Sequence, residues 1–213
     1  MTASGLGLRS LSQDIGATFG RQLAAALLGL LTAVSIARFY GPEGNGAYAV
    51  ALLLPTMLAT FLNLGVAPAN VYYLGSAQIN IHKLLGVNLR IFVLSVTTGL
   101  GIGSLILLWK GDRLFPGVSP SVLWLALAGF PIALLQGFLT SFFQGLQQFR
   151  SYNLILIAQP LVFLVLVGGL IVSGIREIVF LIIVYLISQL FVLAFTIKRI
   201  RLLLRTEEER GGL

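Results

Sequence analysis

Six stretches of this chain are apolar for long enough to cross a bilayer, and they leave few folds open to it. A helix needs about 20 apolar residues to cover some 30 Å of hydrocarbon. Runs of that kind lie at about 15–37, 47–64, 87–109, 122–145, 154–173 and 178–197. The second run continues to about residue 75 past Gly65-Val66-Ala67-Pro68, a sequence that predicts a bend or break in the helix. Of 213 residues, 57% are hydrophobic and only 10% charged, far too few polar side chains to clothe a soluble globule. The expected fold is therefore an all-α integral membrane bundle of six transmembrane helices over residues 1–197, followed by a charged tail at 198–213.

Charges alternate with the apolar runs. Every charged residue except Asp14, Arg21 and Arg90 falls in a predicted loop or in the tail, where water or lipid headgroups solvate it. The loop between the third and fourth runs, 110–120, contains two prolines and is flanked by Trp109 and Trp124 as interfacial anchors. The first run reads as a retained span rather than a cleaved leader, because it is too long and is interrupted near its start by Asp14 and Arg21. With both ends cytoplasmic, that side carries Arg9, Lys83, Arg90, Arg150, Lys198, Arg199, Arg201, Arg205 and Arg210; the other carries Arg38, Lys110, Arg113 and Arg176. This asymmetry favours a multi-pass protein of the cell membrane with both termini inside. It also accounts for the net charge of +7 through contact with anionic headgroups, so that no nucleic-acid partner is expected.

Chemistry-bearing groups are scarce. There are no cysteines and one histidine, and the non-cytoplasmic loops offer only Glu43, Asp112 and Glu177, widely separated. A metal centre, a cofactor and an enzymatic acid/base pair are therefore not expected. Small residues instead suggest close helix contact: Ala25, Gly29, Ala33 and Ala37 repeat every four residues, as do Gly99 and Gly103. A charge inside hydrocarbon turns toward a partner or a wet cavity. Asp14, Thr18 and Arg21 share one helix face, and Arg21 either lines a cavity, where its guanidinium could hold a phosphate, or snorkels to the interface or pairs with Asp14. Gln136, Thr140 and Gln144 form a second stripe, Asn63 and Asn70 flank the break near Gly65, and Gln159 and Gln189 lie inside the last two runs. Such amides either meet sugar hydroxyls in a lumen or bond helix to helix.

One loop is distinctive. In Ala37-Arg38-Phe39-Tyr40-Gly41-Pro42-Glu43-Gly44-Asn45-Gly46-Ala47-Tyr48, Gly41-Pro42 halts the helix, and Gly44 and Gly46 allow the positive φ values of a tight reversal. This hairpin, extended to Pro55, resembles the one between the first two transmembrane helices of prokaryotic polysaccharide flippases, in the multidrug/oligosaccharidyl-lipid/polysaccharide exporter superfamily. Residues 63–75, a leucine-glycine break leading into a tyrosine-bearing helix end, and 143–153 are similar to further segments of that family, in order and at the right spacing. The resemblance implies a non-enzymatic transporter moving an undecaprenyl-pyrophosphate-linked oligosaccharide between leaflets for lipopolysaccharide, capsule or exopolysaccharide assembly. Arg21 and Asp14, with Asn63, Asn70, Gln136 and Gln144, are then the candidate substrate-binding residues. Family members resemble two six-helix lobes, whereas this chain corresponds to the N-terminal lobe alone, which implies a second lobe as partner, from another copy or a separately encoded half. The alternatives are a truncated, inactive flippase and a membrane accessory protein of a polysaccharide assembly complex.

The charge asymmetry makes a direct prediction. Reporter fusions after Gly212 and within 79–83 are expected to read cytoplasmic and a fusion at Gly117 external; a cytoplasmic signal at Gly117 would overturn the six-span reading.

Overall fold

In hydrocarbon no water is available to unpaired backbone groups, so a chain this apolar must satisfy them within helices. The computed structural model, which describes residues 4–76 and 79–211, meets that demand throughout. It contains seven helices: α1 (Ser4–Phe61), α2 (Val66–Gly75), α3 (Ile81–Leu114), α4 (Pro120–Leu127), α5 (Gly129–Gly145), α6 (Phe149–Val172) and α7 (Ile178–Gly211). No strand occurs among the described residues. Five helical stretches are long and apolar enough to cross a membrane: Gly20–Phe61, Ile81–Gly111, Pro120–Gly145, Phe149–Val172 and Ile178–Leu204. The charged tail is helical as well, since α7 runs on to Gly211.

The first stretch is 42 residues long, about twice a span, and Gly41 divides it. Its backbone, at φ 75° and ψ 177°, lies in a region open essentially to glycine alone. The arms 20–40 and 42–61 fold back on each other there. Across a straight helix Gly29 and Ala49 would stand about 30 Å apart, yet both line one pocket of about 280 Å³. The reversal differs from the expected one in where its strain sits. Gly44 and Gly46 are helical, and Gly41 alone among the three has positive φ. Gly44 serves close packing instead, because a Cβ there would stand 2.7 Å from the Cβ of Tyr40. The turn is tied to the α6–α7 connection by the Tyr40 hydroxyl, which donates to the Ile175 carbonyl at 3.1 Å, and by Arg176 over the Phe39 ring.

The other interruptions also have local causes. Leu64 and Gly65 both take positive φ, ending α1 and starting α2, where Asn63 Oδ1 accepts from the Ala67 N–H at 3.1 Å. The α4–α5 junction follows from Pro131, which has no N–H for the Leu127 carbonyl and disturbs the preceding turn.

Packing sorts the small-residue stripes. Gly99 and Gly103 do let α3 approach its neighbours: a Cβ on Gly99 would strike Phe130 and Leu62, and one on Gly103 would strike Leu127. The stripe on the first arm behaves otherwise. Gly29 has no neighbour within 4 Å of a would-be Cβ, and with Ala33 it borders the 280 Å³ pocket rather than a helix. The main core joins Leu54 and Leu58 of α1 to Val122, Ala126 and Leu127 of α4 and to Phe130, Leu134 and Phe138 of α5. Leu108, Trp109 and Val172 face outward almost fully exposed, as lipid-facing side chains should.

Gly41→Val is expected to cost about 1–3 kcal/mol, because valine is excluded from that backbone region. Gly46→Ala, at ordinary helical φ and in open space, is expected to leave thermal melting in detergent unchanged or slightly raised. Equal effects of the two would contradict the assignment of the turn.

Candidate functional site

Three adjoining pockets lie along the inner face of α1, α5, α6 and α7. The first, of about 500 Å³, is bordered by Thr56 and Thr60 of α1, Asn63 of the turn after it, Ala133 and Gly137 of α5, and Tyr185 of α7. The second, of about 410 Å³, shares Ala133 and Gly137 and adds Gln136, Thr140, Gln144, Gln159 and Gln189. The third, of about 280 Å³, shares Gln159 with the second and Tyr185 with the first. Shared walls make them parts of one concave surface. Among the described residues no charged side chain lines any of the three.

Helical periodicity builds this surface. Gln136, Thr140 and Gln144 fall on one face of α5 at spacings of four, and Thr56 and Thr60 share a face of the second arm of α1, with Asn63 three residues further on in the turn. The glycine and alanine at 137 and 133 keep the wall between the first two pockets low. Prolines add backbone polarity. Pro55 borders the first pocket, and Pro160 stands beside Gln159 in α6. Neither has an N–H to give the carbonyl four residues earlier, so Leu156, itself on the pocket wall, loses its helical donor. An aromatic trio closes the end nearer Gly41: Tyr48 stacks on Phe163 at 6.0 Å, and Tyr185 meets both edge-on.

The glutamines differ in how far they are committed. Gln136 Nε2 donates to Thr140 Oγ1 at 3.1 Å and to Thr196 Oγ1 at 2.9 Å. Thr196 spends its own proton on the Val192 carbonyl and must accept, which fixes the amide with its NH₂ toward the threonines. Gln136 Oε1 is left buried without a partner among the described residues. Gln189 Nε2 donates to the Tyr185 hydroxyl at 2.9 Å. Gln144 is exposed at the end of the bundle that carries the 146–148 loop.

The asparagines have another place. Asn70 is 1% exposed, its Nδ2 donating to Ser141 Oγ at 2.9 Å and its Oδ1 accepting from Asn88 Nδ2 at 2.8 Å, so its polar capacity is spent joining α2, α5 and α3. Asn63 borders the first pocket while its Oδ1 caps α2. Arg21 lines none of the three pockets; it lies about 30 Å along the helix from Gly41. Asp14 belongs to α1, but its side chain lies outside the described residues, as does that of Thr18.

The candidate set thus divides. Gln136, Gln144 and Asn63 share the concave surface with Gln159 and Gln189, whereas Asn70 and Arg21 stand apart from it. Sequence reasoning passed over Thr56 and Thr60, although the i, i+4, i+7 stripe they form with Asn63 was readable; Tyr152 and Tyr185 carried no signal, since only packing turns them inward. No cluster of three metal-ligating side chains forms among the described residues. The arrangement suits hydrogen bonding to an uncharged, hydroxyl-rich group.

A protein-family model described as "Polysaccharide biosynthesis protein" matches residues 11–207. Neither the curated proteins nor the solved structures contain a match.

Replacing Asn70 with leucine is expected to strand Ser141 and Asn88 inside the bundle and to destabilise it by about 1–3 kcal/mol, read as a lower melting temperature. Gln144→Ala is expected to leave melting unchanged; if both variants melt like the parent, the Asn70 junction is not structural.

Proposed function

Because the chain belongs to the polysaccharide biosynthesis protein family, we propose that it is one lobe of a flippase for polyprenyl-pyrophosphate-linked oligosaccharide. The observation that carries this reading is a continuous, uncharged concave surface on which amides and hydroxyls are set among apolar side chains, in a bundle otherwise built to face lipid.

Moving a glycan across a bilayer requires shelter from hydrocarbon for its hydroxyl groups, each costing several kcal/mol if left unpaired there. Gln144, Gln159, Gln189, Thr56 and Thr60 supply donors and acceptors along the path, and Pro160 leaves the carbonyl of Leu156, a residue of the pocket wall, without its helical donor. Neutral amides bind sugars without the tight ion pairing that would hold cargo in place. Asn63 contributes from the break at Gly65, where its amide borders the first pocket.

Arg21 has a different part in this reading. A diphosphate anchored to a polyprenyl chain rides at the membrane interface, and Arg21 stands at that depth on the end opposite Gly41. Its planar guanidinium can meet two phosphate oxygens at once as the substrate loads. With both termini cytoplasmic, this is the cytoplasmic side of the cell membrane. A second lobe, from another copy or from a further helical segment, supplies the facing wall.

The test is complementation of a flippase-deficient strain by this chain together with a second lobe. The double variant Gln144→Leu/Gln159→Leu is expected to lose transport roughly tenfold or more, since two hydrogen bonds of about 1 kcal/mol each disappear, with membrane abundance unchanged. Undiminished complementation would remove the concave surface from the transport path.

A further inference from the structure

A second cavity, on the other side of α5, has the opposite character. α3 and α7 both pack on α5 but diverge from each other, leaving a groove of about 330 Å³. Phe138 and Leu139 form its floor, Leu89 of α3 stands on one wall, and Ile200 and Leu204 of α7 form the other. The lining is apolar apart from Asn88, whose amide is bound to Asn70, and Arg201.

Depth gives Arg201 its meaning. From Ile178 to Arg201 the helix climbs about 35 Å, just past the hydrocarbon core, so the exposed guanidinium sits at headgroup level above a slot that opens below it. Charge at this end is one-sided among the described side chains: Lys83, Arg150, Lys198, Arg199 and Arg201 gather here, while Glu43 and Glu177 lie at the opposite end. Arg199 is occupied over the Phe195 ring, which leaves Arg201 as the cation bordering the groove.

We propose that the α3–α5–α7 groove is a specific site for an anionic phospholipid, one acyl chain lying against Phe138 and Leu139 and the phosphate held by Arg201. The chain fills an apolar slot that water would enter only at a cost, and the phosphodiester supplies a counter-charge for Arg201 at its mouth. The site lies on a different face of α5 from the concave polar surface, sharing no lining residue with it, and it stands or falls independently of the transport reading.

The experiment uses the whole chain reconstituted in phosphatidylcholine vesicles. Leu89→Trp places a fluorophore on the groove wall, Leu89 itself being 59% exposed. Trace brominated phosphatidylglycerol is expected to quench the added tryptophan about fivefold more effectively than the same fraction of brominated phosphatidylcholine, after subtraction of the parent signal. Adding Arg201→Gln should abolish that preference, whereas adding Arg150→Gln, at the same end but off the groove, should preserve it. Equal quenching by the two lipids in the Leu89→Trp protein would overturn the proposal, as would a preference that survives Arg201→Gln. Displacement of the brominated phosphatidylglycerol by a much smaller amount of polyprenyl phosphate would overturn the assignment of the occupant. Circular dichroism and elution volume identify any variant that fails to fold, in which case Arg201→Lys, expected to keep the preference, and Arg201→Met, expected to lose it, replace the glutamine variant.

Discussion

Backbone hydrogen bonding in hydrocarbon is the constraint on which this structure depends. A soluble helix can end wherever water can reach its last carbonyls; here each interruption needs a partner supplied from within. At the break after Phe61 the partners are visible. Asn63 caps α2, and Ser95 of α3 donates its hydroxyl proton to the Leu62 carbonyl at 3.1 Å. Further along α2, Asn70 joins three helices through its two amide ends. The break is therefore held in place by side chains from α2, α3 and α5, and the same junction fixes how α5 presents its polar face.

Prolines show the constraint used in the other direction. Pro55 and Pro160 each remove a backbone donor inside a helix that would otherwise be sealed, and each borders the concave surface. A freed carbonyl facing lipid would be costly, whereas one facing a polar cavity is an added acceptor. Glycine divides its labour similarly. Gly41 turns the chain through a backbone state closed to other residues, while Gly99 and Gly103 are kept small by Phe130, Leu62 and Leu127 pressing on α3.

Much of this is legible in the sequence because hydrocarbon restricts the alternatives so severely. The all-helical class, the break at Gly65 and the Gly99/Gly103 approach follow from run length, turn residues and spacing. Which of Gly41, Gly44 and Gly46 takes positive φ does not, since all three permit it and the choice of Gly41 is made by the packing of the two arms. The polar face is half legible. Periodicity along α5 aligns Gln136, Thr140 and Gln144, but the arrival of Gln159 and Gln189 depends on how α6 and α7 pack. Periodicity is equally silent on Asn70 and Asn63, two amides near one break, of which one is buried in a junction and the other borders a cavity. Arg21 is misjudged as deep only if the first span is counted from residue 15; counted back from the turn at Gly41, it lies one hydrocarbon thickness away.

The cavities on the two sides of α5 differ in chemistry. One face of the helix offers amides and hydroxyls in a wide, shallow surface, and the opposite face offers an apolar slot ending at a guanidinium. Phe138, on the floor of the slot, and Phe142 and Phe143 beside it are all essentially fully buried. Because interiors packed this tightly shift as units, a change in what fills the slot between α3 and α7 is felt on the polar side through α7, which carries Gln189 and Tyr185 into the concave surface. The amide-bearing surface and the apolar slot are thus neighbours, separated by the thickness of one helix.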